Sequence, residues 1–138
     1  MEQLAVEIVG LCREYGECRV EAERMEEARR VKNALESVCS MARQRLDISD
    51  PALLLALLDA CEVTRDEGML QEVLDVVGRN LDRLAVSAES VKLLACCYYY
   101  VEEEECVERA GRMLEELRKM GRGEEELADA ETILEELT

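Results

Sequence analysis

The sequence predicts an all-α protein of antiparallel helical hairpins, six or seven helices in all, arranged as a bundle or a short right-handed helical-repeat array. Three observations predict it. One proline and seven glycines in 138 residues leave little turn material for a protein of many strands. Long runs of Glu, Leu, Ala and Arg favour helix wherever they occur. There is no Phe and no Trp, so Leu, Val, Ala, Met and Cys must fill the interior, and these suit interdigitating helices better than facing sheets. The length fits one domain over residues 1–138, with an N-terminal hairpin over 1–50 and a repeat-like part over 51–138.

A first helix is expected from Glu2 to Tyr15, because Leu4, Ile8, Leu11, Cys12 and Tyr15 recur at helical spacing. Gly16 then reads as its C-terminal cap. A long second helix follows from Cys18 to Leu46, about 40 Å at 1.5 Å per residue. Met25, Ala28, Val31, Leu35, Val38, Cys39, Ala42 and Leu46 form its apolar stripe. The stripe is thin over 21–30, a stretch that projects from the core or pairs with another chain. Ser49-Asp50-Pro51 is the clearest boundary: Ser or Asp caps a helix, and Pro favours its first position. The third helix covers Pro51 to Val63. Thr64-Arg65-Asp66-Glu67 reads as a capping box for a fourth, which buries Leu70, Val73, Leu74, Val77, Leu81 and Leu84. Ser87 caps a fifth helix running through Tyr100. A sixth spans Glu103 to Met120 and stops at Gly121-Arg122-Gly123, and a seventh runs from Glu124 to Leu137. Short connections make neighbours antiparallel.

Shifting the chain by 36 residues lays Leu57 on Leu93, Leu58 on Leu94, Cys61 on Cys97, Leu70 on Cys106, Leu74 on Ala110, Val77 on Met113 and Leu81 on Leu117. Periods of 20 to 50 residues mark helical solenoids. Leu57, Cys61, Leu70, Leu74 and Val77 are spaced by four, nine, four and three, as are Leu93, Cys97, Cys106, Ala110 and Met113. In this spacing residues 51–120 resemble the tetratricopeptide-repeat family. Where that family has a small residue after the first Leu, this chain has Leu58 and Leu94. The resemblance implies a protein-binding scaffold with a concave face.

The formal charge is −16, made of −3 over residues 1–50, −4 over 51–85 and −9 over 86–138. Such a surface repels a phosphate backbone, so nucleic acid is not an expected partner. The longest apolar run, Pro51 to Leu58, falls far short of the ~20 residues of a membrane span, and no membrane contact is expected. The start, Met1-Glu2-Gln3-Leu4, lacks the basic segment of a signal peptide, which places the protein in the cytoplasm.

The chain contains no His. That removes the Ser-His-Asp and Cys-His nucleophile systems and the Glu-x-x-His ligands of di-iron helical proteins. There is no Gly-rich phosphate loop and no Cys-x-x-Cys pair, so neither a cofactor nor a metal is expected, and no catalytic residue is assigned. The cysteine count is odd. Cys12, Cys39, Cys61, Cys97 and Cys106 take apolar positions, where reduced thiols act as small hydrophobes. Adjacent Cys96 and Cys97 point about 100° apart on a helix. One is then buried, while the other is either part of a wide core face or a redox- or metal-reactive thiol.

Two neighbouring features carry the functional expectation. Tyr98, Tyr99 and Tyr100 cover too much of a helix to share one core face. Either one is core and two cover adjoining helices, or at least one marks a contact surface. Glu102, Glu103, Glu104 and Glu105 follow, either as a solvated helix start or as an acidic patch for a basic partner or a divalent ion. The expected function is a small scaffold or adaptor that is not an enzyme and binds a protein partner, or a second copy of itself, through Tyr98–Tyr100 and these glutamates. The alternative is a non-catalytic or carboxylate- and cysteine-using subunit of a multi-component enzyme.

Overall fold

The protein is described here from a computed structural model covering residues 2–121 and 123–138, with Glu2 and Glu124 described by backbone alone. Among the described residues there are seven α-helices and no strands. The helices are α1 (Glu2–Cys18), α2 (Met25–Arg43), α3 (Pro51–Thr64), α4 (Glu67–Arg79), α5 (Ala88–Val101), α6 (Glu104–Lys119) and α7 (Glu124–Leu137). The chain divides into two compact units, Met1–Val76 and Val77–Thr138, with the division inside α4.

In the first unit α1 packs against both α2 and α3. Ile8, Leu35, Leu53, Leu54 and Leu57 are fully buried there. Each contributes about 1.5–3 kcal/mol by leaving water. α3 is the most enclosed helix of this unit. Leu53, Leu54, Ala56, Leu57, Leu58, Ala60 and Cys61 are all buried, so it is apolar around most of its circumference. Its start matches the expectation: Pro51 is the first residue, and Asp50 Oδ1 accepts from the Leu53 N–H at 3.2 Å.

Four expectations for α1 to α4 are corrected. Gly16 does not end α1, which continues to Cys18. The buried Cys18 packs with Ala28 and Val31, backed by Leu11 and Tyr15, and this contact outweighs glycine's low helix propensity. The single helix from Cys18 to Leu46 is instead a turn, a short 3₁₀ segment (Ala22–Arg24) and the 19-residue α2. The expected 40 Å rod is therefore absent, and Met25 is 65% exposed rather than part of the stripe. Thr64 is not a cap. Its hydroxyl donates to the Ala60 carbonyl inside α3, and Asp66 Oδ1 instead accepts from the Met69 N–H at 3.0 Å. On α4 the buried side chains are Met69, Val73 and Val77, whereas Leu70 and Leu74 are half-buried. The helix stops at Arg79, and Leu81 and Leu84 are buried beyond it.

In the second unit α5 packs against both α6 and α7. Val91, Leu93, Leu94 and Ala95 are fully buried on α5, as is Ala110 on α6 and Ala130 on α7. Ser90 is buried among them without an orphaned group: its N–H donates to Ser87 Oγ at 3.1 Å, and the two hydroxyls lie 3.0 Å apart. Ser87 is thus the expected cap of α5. Gly121 has φ +68°, which suits glycine after α6, and α7 has the expected bounds. Arg122, the middle of the expected stop, lies outside the described residues, as does Met1.

Several features recur 37 residues apart, not 36. Asp50 and Ser87 are helix caps. Arg65 and Glu102 are both left-handed residues ending a helix, with φ 58° and 52°, and Glu67 and Glu104 open the helices that follow.

Candidate functional site

The expected contact residues lie at the corner between α5 and α6. The three tyrosines occupy the last turns of α5 and splay as helical geometry requires. Tyr98 and Tyr100 are half-buried, and Tyr99 is 58% exposed. The Tyr99 and Tyr100 rings meet edge to face, with centroids 5.2 Å apart and planes at 84°. Such a pair holds an exposed ring in one orientation, contributing about 0.5–1.5 kcal/mol beyond area burial. Val101, exposed beside them, extends the apolar surface.

The chain then turns sharply. Glu102 takes the left-handed conformation, and its N–H donates to the Tyr98 carbonyl at 2.8 Å, closing α5. Glu103 precedes α6 without a side-chain cap, and Glu104 and Glu105 form its first turn, where acidic groups complement the helix dipole. All four carboxylates are exposed. They are not equivalent. Glu105 Oε1 lies 3.5 Å from Arg109 Nε one turn along α6, and Arg109 also binds Asp82 at 2.5 Å and the Leu81 carbonyl at 3.3 Å. Arg109 therefore ties α6 to the segment before α5. The i, i+4 spacing of Glu105 and Arg109 was the available sequence signal for this pair. Glu102, Glu103 and Glu104 precede this pair in the chain and are exposed. At the start of α7, Glu125 and Glu126 are exposed, while the Glu124 side chain lies outside the described residues.

A second polar cluster, in the first unit, was not foreseen. A cavity of about 200 Å³ is bordered by Glu36, Cys39, Ser40, Arg43, Thr64, Asp66 and Met69. Arg43 is already engaged, by Glu72 through two hydrogen bonds of 2.9 and 2.6 Å and by Asp66 at 3.4 Å. The Arg43 bond holds the Glu72 carboxyl below its ordinary value. The arrangement clamps α2 to α4 and to the turn before it.

The cysteines behave as core residues. None of the seven is in a disulfide; Cys18, Cys39, Cys61, Cys97 and Cys106 are buried, and Cys12 and Cys96 half-buried. Cys97 is thus the enclosed member of the adjacent pair. Desolvation pushes the thiols of Cys12 and Cys39 up to about 11 and that of Cys61 to about 12, and raises Cys97 further. These are the reverse of activated thiolates. Among the described residues no group of His, Cys, Asp or Glu side chains is arranged to hold a metal ion, and no helix is long and apolar enough to cross a membrane.

No protein-family model, curated protein or solved structure matches the chain.

Proposed function

We propose that this chain is a small helical scaffold that binds another protein at the α5–α6 corner, with Tyr99 as the anchor. The observation that carries the reading is the exposed Tyr99 ring, held edge to face by Tyr100 beside exposed Val101 and acidic Glu102, Glu103 and Glu104. Tyrosine combines apolar area with a hydroxyl and loses little entropy on contact, which is why it recurs among binding hot spots.

We read α3–α4 and α5–α6 as two copies of one hairpin, as in a tetratricopeptide-like array. The 37-residue recurrence of caps and left-handed residues supports this. In that register Leu57-Leu58 corresponds to Leu94-Ala95, so the second copy gains the small residue that the family places after the first Leu.

The test is a photo-crosslinking residue, benzoylphenylalanine, placed at position 99 and, as a control, at Val6, which is 71% exposed in the other unit. After irradiation in extracts of the native cell, position 99 should yield a discrete protein adduct that position 6 does not. An adduct of twice the chain mass would identify a second copy as the partner. No adduct at 99, or the same smear from both positions, would overturn the reading.

A further inference from the structure

Lys92 Nζ on α5 lies 2.7 Å from Asp129 Oδ2 on α7. Two short turns join α5 to α6 and α6 to α7, so α5 and α7 run in the same direction, and this ion pair joins them on one side. Seven residues further along each helix, two turns on, come Tyr99 and Glu136, both exposed. One turn before them, Cys96 and Ile133 are half-buried. Helical periodicity carries this pairing along both helices: from the ion pair, past half-buried Cys96 and Ile133, to exposed Tyr99 on α5 and exposed Glu136 on α7.

The charge on this face is one-sided. α7 carries seven acidic residues and no basic one; Glu131 is paired with Arg118 of α6, while Asp129 and Glu136 lie on the side that meets Lys92. Lys92 is the single basic residue of α5, and Asp129 neutralises it.

We infer that the α5–α7 face is a docking groove for a basic segment of a partner protein, with an arginine or lysine side chain seated on the Tyr99 ring beside Glu136. A cation over a tyrosine face is attracted by the ring quadrupole, and a flanking carboxylate supplies the countercharge. An apolar residue of the same segment covers the strip at Cys96 and Ile133. This identifies the partner's chemistry and rests on the scaffold reading above.

The experiment uses the full chain and a dye-labelled twelve-residue peptide of arginine and leucine, titrated by fluorescence anisotropy. Tyr99→Ala, which leaves net charge unchanged, should weaken binding about tenfold, the loss typical of an aromatic anchor. Tyr99→Phe should bind like the parent. Glu136→Lys should weaken binding roughly fivefold. Glu26→Lys makes the same charge change at an exposed position on α2 and should cost less than twofold. Circular dichroism of each variant checks that it is folded, and Glu136→Lys alters only an exposed side chain.

Unchanged binding by Tyr99→Ala would overturn the inference. So would equal losses from Glu136→Lys and Glu26→Lys, which mean that the peptide responds only to the overall charge of −16. If crosslinking at position 99 captures a partner while the peptide titration fails in either way, the scaffold reading stands and the basic groove falls.

Discussion

Arg65 and Glu102 adopt the left-handed conformation that glycine takes without penalty, and both carry a Cβ. In that region the Cβ crowds the following carbonyl oxygen, at a cost of roughly 1–2 kcal/mol. Replacing Arg65 by Gly removes the clash and keeps the backbone bond from its N–H to the Cys61 carbonyl, 2.8 Å long. Against this, glycine gives the unfolded chain more freedom, which takes back roughly 0.4–1 kcal/mol. The difference is a gain of about 0.5–1 kcal/mol, or roughly 2–4 °C in Tm for a chain of this size. Glu102→Gly should gain a similar amount for the same reason, keeping its 2.8 Å bond to the Tyr98 carbonyl. Arg65→Val should lose stability, because a β-branched side chain tolerates positive φ least. Urea unfolding followed by circular dichroism at 222 nm measures all three against the parent. If Arg65→Gly is no more stable than the parent at an unchanged m-value, the left-handed ends of α3 and α5 are not a source of strain and the argument fails.

Two further predictions concern charge and thiols. Arg43→Met should cost about 1 kcal/mol at neutral pH, since the pairing with Glu72 is bidentate but both side chains are partly exposed and screened. Glu72 is held below its ordinary 4.5, so its contribution is present above that pH and is lost as pH falls through the lowered value. The gap in urea midpoint between parent and variant should therefore close in acid, and an equal gap at pH 7 and pH 3 would refute the clamp. At pH 8, a thiol-reactive dye should label the native protein slowly and chiefly at half-buried Cys12 and Cys96, then titrate seven groups after denaturation. Fast native labelling of five or more would contradict the buried assignment.

The parts of the fold that could be read from sequence are those where a single residue type has one dominant use. Asp50-Pro51 and Ser87 open helices because an oxygen next to unpaired N–H groups has few better roles. The break between Cys18 and Met25 had no such marker. It contains neither Gly nor Pro, and neither the 3₁₀ segment nor α2 has a side-chain cap. Its only trace was the thin stripe over 21–30, where Met25 is exposed. Arg65 and Glu102 end helices without glycine, so nothing in their identity announces a turn. At the candidate site, the splay of the three tyrosines follows from 100° per residue and was legible. The exposure of Tyr99 in particular, and the meeting of Lys92 with Asp129 37 positions away, depend on which face α7 covers, and that is set by packing.

Laid on itself, the chain matches by residue identity at a shift of 36 and by its helix ends at a shift of 37, and the one-residue difference has a physical cause. A slip of one residue turns a helix by 100°, which ought to move a narrow apolar stripe off the core. α3 has no narrow stripe, because seven of its fourteen residues are buried around most of the helix. Matching by residue identity therefore favours 36, where Leu57 meets Leu93 and Cys61 meets Cys97. Matching by burial favours 37. Leu54 and Val91, Ala56 and Leu93, Leu57 and Leu94, Leu58 and Ala95, and Ala60 and Cys97 are buried pair by pair. On the following helices the same holds for Met69 and Cys106, Val73 and Ala110, and Val77 and Leu114. Ala56 and Leu58 on one helix answer to Leu93 and Ala95 on the other, a large-for-small exchange that nearly conserves volume, as close-packed cores tolerate best. Apolar side chains can trade places across a wide buried face, but a cap oxygen and a left-handed residue cannot move by one position without breaking the helix end they form. Where a helix is buried nearly all round, its ends hold the register more faithfully than its core.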